Sequence, residues 1–149
     1  MLKEPVQIKV LVFGPEGAGK SSITYRVSSD SFLESTISTH GVDTRQKKIE
    51  KNGQRFLLRF WDVSTIENFE ESSNLILREA SIALLVCDIQ KKTDLTQMAS
   101  LNEQIKKKSC LLLPYALPTV LVLNKVDLHT KDNDYTSEAH LRQFTLAHK

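Results

Sequence analysis

The stretch Gly14-Pro15-Glu16-Gly17-Ala18-Gly19-Lys20-Ser21, GPEGAGKS, decides how the rest of the chain is read. It joins an apolar, β-branched run, Gln7 to Phe13 (QIKVLVF), to a segment suited to a short helix, Ser21 to Ser28. In the pattern G-x-x-x-x-G-K-S at a strand-to-helix junction, successive backbone N–H groups point into one concavity. The helix adds the positive end of its dipole. Three of the chain's five glycines fall in this loop, where the backbone must take unusual angles and approach a ligand closely. Such a loop suits the phosphates of a nucleoside triphosphate. Lys20 is expected to reach the β- and γ-phosphates and the Ser21 hydroxyl to ligate Mg²⁺. Glu16, Gly17, Ala18, Gly19 and Ser22 complete the expected phosphate site. A glycine-rich turn that binds nothing is the plain alternative.

Outward from the loop, strand patterns alternate with helical ones. Thr44 to Lys51 and Gln54 to Val63 read as strands around Asn52-Gly53, a dipeptide that favours a type I′ hairpin and so an antiparallel pair. Phe69 to Ala80 has helical spacing at Phe69, Ser73, Ile76 and Ala80, and Ser81 to Asp88 (SIALLVCD) reads as a buried strand. Thr93 or Asp94 is a candidate cap for a helix with Leu95, Met98, Asn102 and Ile105 on one face. Pro114 and Pro118 bracket a loop before a second buried strand, TVLVLN, and Ser137 to His148 suits a last helix with Leu141 and Phe144 inward. This order predicts an α/β fold: a mostly parallel sheet with one antiparallel edge strand and helices on both faces.

A second motif, Asn124-Lys125-Val126-Asp127 (NKVD), follows that second buried strand directly. The carboxyl ends of parallel strands are where open α/β sheets bind ligands. The Asp127 carboxylate can accept two hydrogen bonds from the N1–H and exocyclic amine of guanine, a match that adenine does not offer. The expected base is therefore guanine.

Composition narrows the class. At 149 residues the chain is long enough for one domain with a real core. A formal charge of +2 gives no reason to expect nucleic acid or an anionic membrane as partner. Lys106-Lys107-Lys108, the single basic run, reads as a solvated helix face. Cys87 sits in an apolar run and Cys110 near a loop, neither with metal-ligand spacing, so a reducing, cytoplasmic setting is expected. The apolar stretch around Ile82 to Cys87 is too short to span a bilayer. Residue 2 is not glycine and the last residues carry no cysteine, so no lipid anchor is expected and membrane association would come through partners.

Taken together, these motifs resemble the small GTPases of the Ras superfamily, closest in texture to the Rab branch. The segment GKSSITYRVSSDSFLESTISTHGVD aligns without gaps to that family's phosphate loop, first helix and first switch. The resemblance spans essentially the whole chain and is less specific from Asp88 to Pro118. It implies GTP/GDP and Mg²⁺ as ligands, with effector or regulatory proteins binding the switch regions. It implies that Phe32 lies against the guanine, that Asn124 and Lys125 join Asp127 at the base, and that Asp62 holds Mg²⁺ through a water. It also implies that Thr39 joins Ser21 on Mg²⁺ and, with Lys20, serves the γ-phosphate in catalysis. Each of these has a structural alternative: Phe32 as core, Thr39 as a loop residue, Asp62 as a strand-end cap.

The sequence departs from that family in four places. After the aspartate the family runs Thr-Ala-Gly-Gln, whereas this chain runs Val63-Ser64-Thr65-Ile66. Thr65 restricts the peptide movement a glycine allows, and Ile66 has no group to orient an attacking water, so hydrolysis is expected to be slow. Glu16 lies where a side chain can crowd that water, and of the four histidines only His40 is near enough to be weighed as a substitute. Thr44 stands where Rab-like proteins place an aromatic, while Gly41, Val42, Asp43 and Trp61 persist. The chain stops at Lys149, before the family's last strand and helix. One G domain over residues 1–149 is thus expected with part of its sheet uncovered, which suggests a homodimer or further chain. Two functions are compatible with these features: a slow GTP-dependent switch, or a pseudo-GTPase that serves as an interaction module without turnover.

Overall fold

The structure, a computed structural model, describes residues 4–32, 41–63 and 69–128. Along the chain run β1 (Val6–Phe13), α1 (Lys20–Ser29), β2 (Val42–Lys51), β3 (Gln54–Val63), α2 (Phe69–Leu77), β4 (Ala80–Asp88), α3 (Lys92–Leu112), β5 (Thr119–Asn124) and a 3₁₀ turn at Val126–Leu128. The sheet order is β2-β3-β1-β4-β5. Among the described residues only the β2–β3 pair is antiparallel; β1 runs parallel to β3 and β4, and β4 to β5. The expected α/β sheet with one antiparallel edge strand is what forms. Asn52 and Gly53 take φ of 52° and 71°, the left-handed pair that the type I′ hairpin requires.

Strand alternation divides the core between two faces. Leu11 and Phe13 of β1 join Leu85 and Cys87 of β4 beneath Ile76 and Leu77 of α2 and Leu95, Met98, Leu101 and Ile105 of α3. Val10, Val12 and Val86 turn the other way, with Phe60 and, on α1, Ile23. Full burial of each such side chain contributes about 1.5–3 kcal/mol, so β1 and β4, both covered on two faces, anchor the sheet. Ala80 and Ala83 share one face although three residues apart. The reason is a register shift where Lys9 faces Ala80 and Val10 faces Ile82, which reverses the side-chain parity once.

Three boundaries differ from the sequence reading. The helix expected to reach Ala80 stops at Leu77, because Glu79 adopts φ 59° and Ala80 is drawn into the β-ladder opposite Lys9. The α3 helix begins before Thr93 and Asp94, with Lys91 at its cap and no side-chain bond there. Asp94 is turned inward, where its Oδ2 accepts the N–H of Asp88 at 3.1 Å. β5 is half-buried rather than buried, being one of the two edge strands among the described residues. On α3 the expected apolar face is inward, and its polar members are paired: Asn102 Oδ1 accepts from Thr119 Oγ1 at 2.7 Å, and Ser109 Oγ from the Leu117 N–H at 3.1 Å. The expected helix from Ser137 to His148, and with it the question of how the sheet is covered there, lies outside the described residues. No helix among the described residues is long and apolar enough to cross a membrane.

Candidate functional site

The site assembles at the carboxyl ends of β1, β3, β4 and β5, which the sheet order sets side by side. The loop after β1 folds back on itself: the Ala18 N–H donates to Pro15 O at 3.2 Å, and Lys20 Nζ donates to the same oxygen at 3.1 Å. Lys20 is 7% exposed. Burial lowers its pKa, opposed by the nearby negative charges of Asp62 and Glu16. Gly19 caps α1 at φ 93° with no side-chain cap, and no acidic residue lies in the first turn. The positive dipole end of this ten-residue helix therefore meets no side-chain carboxylate of its own first turn and suits an anion. Ser22 lies half-buried in that turn, while Glu16 and Gly17 are exposed at the loop's rim.

Asp62, next to last in β3, is 1% exposed. Ser21 Oγ donates to its Oδ2 at 2.5 Å. Its Oδ1 is buried with no hydrogen-bond partner among the described residues. Burial raises its pKa, while the Ser21 bond and the Lys20 charge work against that rise. A buried carboxylate oxygen left unpartnered among the described residues, beside a serine hydroxyl, is a donor set that suits a hard divalent cation. The residues fit the Mg²⁺ expected of them.

The base motif reaches the phosphate loop directly. Asn124 Nδ2 donates to Ala18 O at 2.8 Å, across a separation of 106 residues. The fit is close enough that a Cβ on Gly19 would lie 2.1 Å from Asn124 Nδ2. Lys125 adopts φ 61° and its Nζ donates to Asp88 Oδ2 at 2.9 Å. Asp127 lies exposed in the 3₁₀ turn that follows. Phe32 is 69% exposed and so does not belong to the core.

Of the expected site residues, the structure thus gathers Gly17, Ala18, Gly19, Lys20, Ser21, Asp62, Asn124, Lys125 and Asp127 at one end of the sheet. Thr39 and His40 in the first switch, and Ser64, Thr65 and Ile66 in the second, lie outside the described residues. The sequence reading missed Asp88 and Asp94, buried carboxylates at 3% and 4% exposure beside the base motif. One signal was available: Asp88, like Asp62, ends an apolar run with a charge that a strand end does not need.

The Ras family model matches residues 9–146. Human Ras-related protein Rab-12 (Homo sapiens) is 32% identical over 135 residues, covering 89% of this chain and 52% of that one. Ras-related protein Rab-1C of Dictyostelium discoideum is 36% identical over 127 residues, covering 83% and 60%. Ras-related protein Rab-33A of Mus musculus is 32% identical over 121 residues, covering 80% and 50%. The chain spans about half the length of the curated relatives it matches. With a family model matched along nearly its whole length and the two nucleotide motifs joined in space, this chain belongs to the Ras family of small GTP-binding proteins, with Rab-like relatives.

Proposed function

We propose that the chain is a guanine-nucleotide-dependent switch that hydrolyses GTP slowly. The observation that carries this reading is the Asn124–Ala18 bond, which sets the base motif and the phosphate loop in one fixed relation. In this reading the N–H groups of residues 16 to 22 and the Lys20 ammonium bind the phosphates. Ser21 and Asp62 hold the metal, with Thr39 joining them from the first switch. Asn124, Lys125 and Asp127 select guanine, and Phe32 lies against its ring. When bound, Mg²⁺ neutralises charge on the β- and γ-phosphates. Ordering of the first switch by Thr39 is what an effector would read.

Slow turnover follows from what is present and what is replaced. Binding needs the loop, Lys20, Ser21 and the base motif, all of which the chain keeps. Cleavage needs a positioned water, and Thr65-Ile66 stand where the family has Gly-Gln. That same replacement favours the second reading, a nucleotide-holding interaction module without turnover. Single-turnover cleavage of bound GTP separates the two. Measurable cleavage accompanied by loss of partner binding supports the switch, and inert bound GTP supports the module. Thr65→Gly with Ile66→Gln should raise the cleavage rate; an unchanged rate would refute this account of the defect.

A further inference from the structure

The nucleotide reading gives no role to Asp88, yet its carboxylate is fully engaged at the end of β4. Oδ2 accepts from Lys125 Nζ at 2.9 Å, and Oδ1 accepts from the Gln90 N–H at 3.0 Å. Its own N–H goes to Oδ2 of the buried Asp94 at 3.1 Å. Two neighbouring bonds tie the same two loops: Ile89 N–H to Asn124 O at 3.1 Å, and Gln90 Nε2 to Leu128 O at 3.3 Å. Residues 88–90 therefore hold the base motif at Asn124, at Lys125 and just past its end at Leu128. The middle contact is the charged one, and it falls on Lys125, whose φ of 61° is a left-handed conformation that a residue with a Cβ adopts only at a cost.

A strand-end cap would need backbone bonds alone. Two carboxylates buried together are costly unless each has a specific partner, and the side-chain partner here belongs to the base-reading turn. We infer that Asp88 is a positioning residue for guanine recognition: its carboxylate fixes Lys125, and through Lys125 the turn that presents Asp127 to the base. Asp88 touches no nucleotide in this scheme. Its loss should therefore blur discrimination at the base edge more than it weakens the grip on phosphate. The inference rests on the nucleotide reading above.

The test uses the full chain loaded with fluorescently labelled GDP in Mg²⁺. Release is followed in the parent, Asp88→Asn, Lys125→Met and the double variant, and GDP is compared in competition with IDP, whose base lacks the exocyclic amine. Asp88→Asn is expected to speed release roughly tenfold, the scale of a charged hydrogen bond, and to shrink the preference for GDP over IDP. Lys125→Met should change release less in the Asp88→Asn background than in the parent. Fully multiplicative effects, or an unchanged GDP preference, would overturn the inference; a merely structural role would lower melting temperature without moving that preference. A parent that retains no labelled GDP refutes the functional reading and the inference with it. A parent that retains it, beside an Asp88→Asn variant with parental release and preference, overturns the inference alone. Should Asp88→Asn fail to fold, the Lys125 ammonium of the loaded parent is observed by proton–nitrogen NMR. Slow proton exchange supports the ion pair as the anchor, and free exchange overturns it.

Discussion

Replacing Asn124 by alanine tests whether the two nucleotide motifs are coupled through the bond that joins them. The substitution removes the 2.8 Å bond to Ala18 O and empties the space beside Gly19 that Asn124 Nδ2 fills. Ala18 is fully buried, so its carbonyl has little access to water once the amide is gone. A neutral hydrogen bond contributes about 1 kcal/mol net, and an unsatisfied buried carbonyl costs about 1–3 kcal/mol. A total near 2 kcal/mol is about thirtyfold if expressed wholly in nucleotide release. Expressed wholly in the fold, it is a fall of about 4–8 °C in melting temperature for a chain of this size. Stopped-flow release of labelled GDP and thermal melting of the same samples divide the effect between the two. The expected result is release faster by about tenfold to thirtyfold with a melting temperature lowered by no more than about 2 °C, the remainder of the same total. Gly19→Ala should reproduce the faster release from the other side, since its Cβ would displace the same amide. A lowered melting temperature with parental release would refute the reasoning, because the bond would then hold the fold without aligning the motifs.

The metal site predicts that chelation speeds GDP release from the parent, and that Ser21→Ala releases quickly with or without chelator; a chelator effect of parental size in that variant would exclude Ser21 as a ligand. Asp88 gives a pH dependence. Burial pushes its pKa up, but the Lys125 and Gln90 bonds outweigh this and hold it below the ordinary 3.8. A carboxylate so depressed contributes stability that is fully present above its unfolded value and is lost as pH falls through the folded one. Melting temperature should therefore decline less steeply below pH 4 in Asp88→Asn than in the parent, roughly over the interval between those two values; parallel acid limbs would contradict this. Cys87 is fully buried, and burial followed by the Asp94 charge pushes its thiol up to about 12, whereas Cys110 is exposed. A thiol reagent should label one cysteine quickly in the native chain and two after unfolding, with peptide mapping placing the fast label on Cys110.

Much of the fold was legible because local signals and burial agreed. The β1 run, the Asn52-Gly53 turn and the inward face of α3 each need only short-range pattern to be read. The end of α2 was misread because helical spacing continues through Ala80, while the ladder to Lys9 claims that residue from outside the segment. Asp94 was read as a cap because acidic residues favour helix starts; tertiary demand from the Asp88 N–H turned it inward instead. In the site, Lys20, Ser21 and Asn124 were visible from motif spacing alone. The contacts among them were not, since the Ser21–Asp62, Asn124–Ala18 and Lys125–Asp88 bonds each cross at least 37 residues. Only the order of strands in the sheet brings those partners together.

The central claim is that the joined motifs select guanine. Competition against labelled GDP on the Mg²⁺-loaded chain measures it most directly. GDP and GTP should displace the label, while ADP and ATP should fail by roughly four orders of magnitude, as expected where a site's hydrogen-bonding groups are built to match one base edge. Asp127→Asn should narrow that gap without lowering the melting temperature of the chain. Equal displacement by guanine and adenine nucleotides would contradict the account.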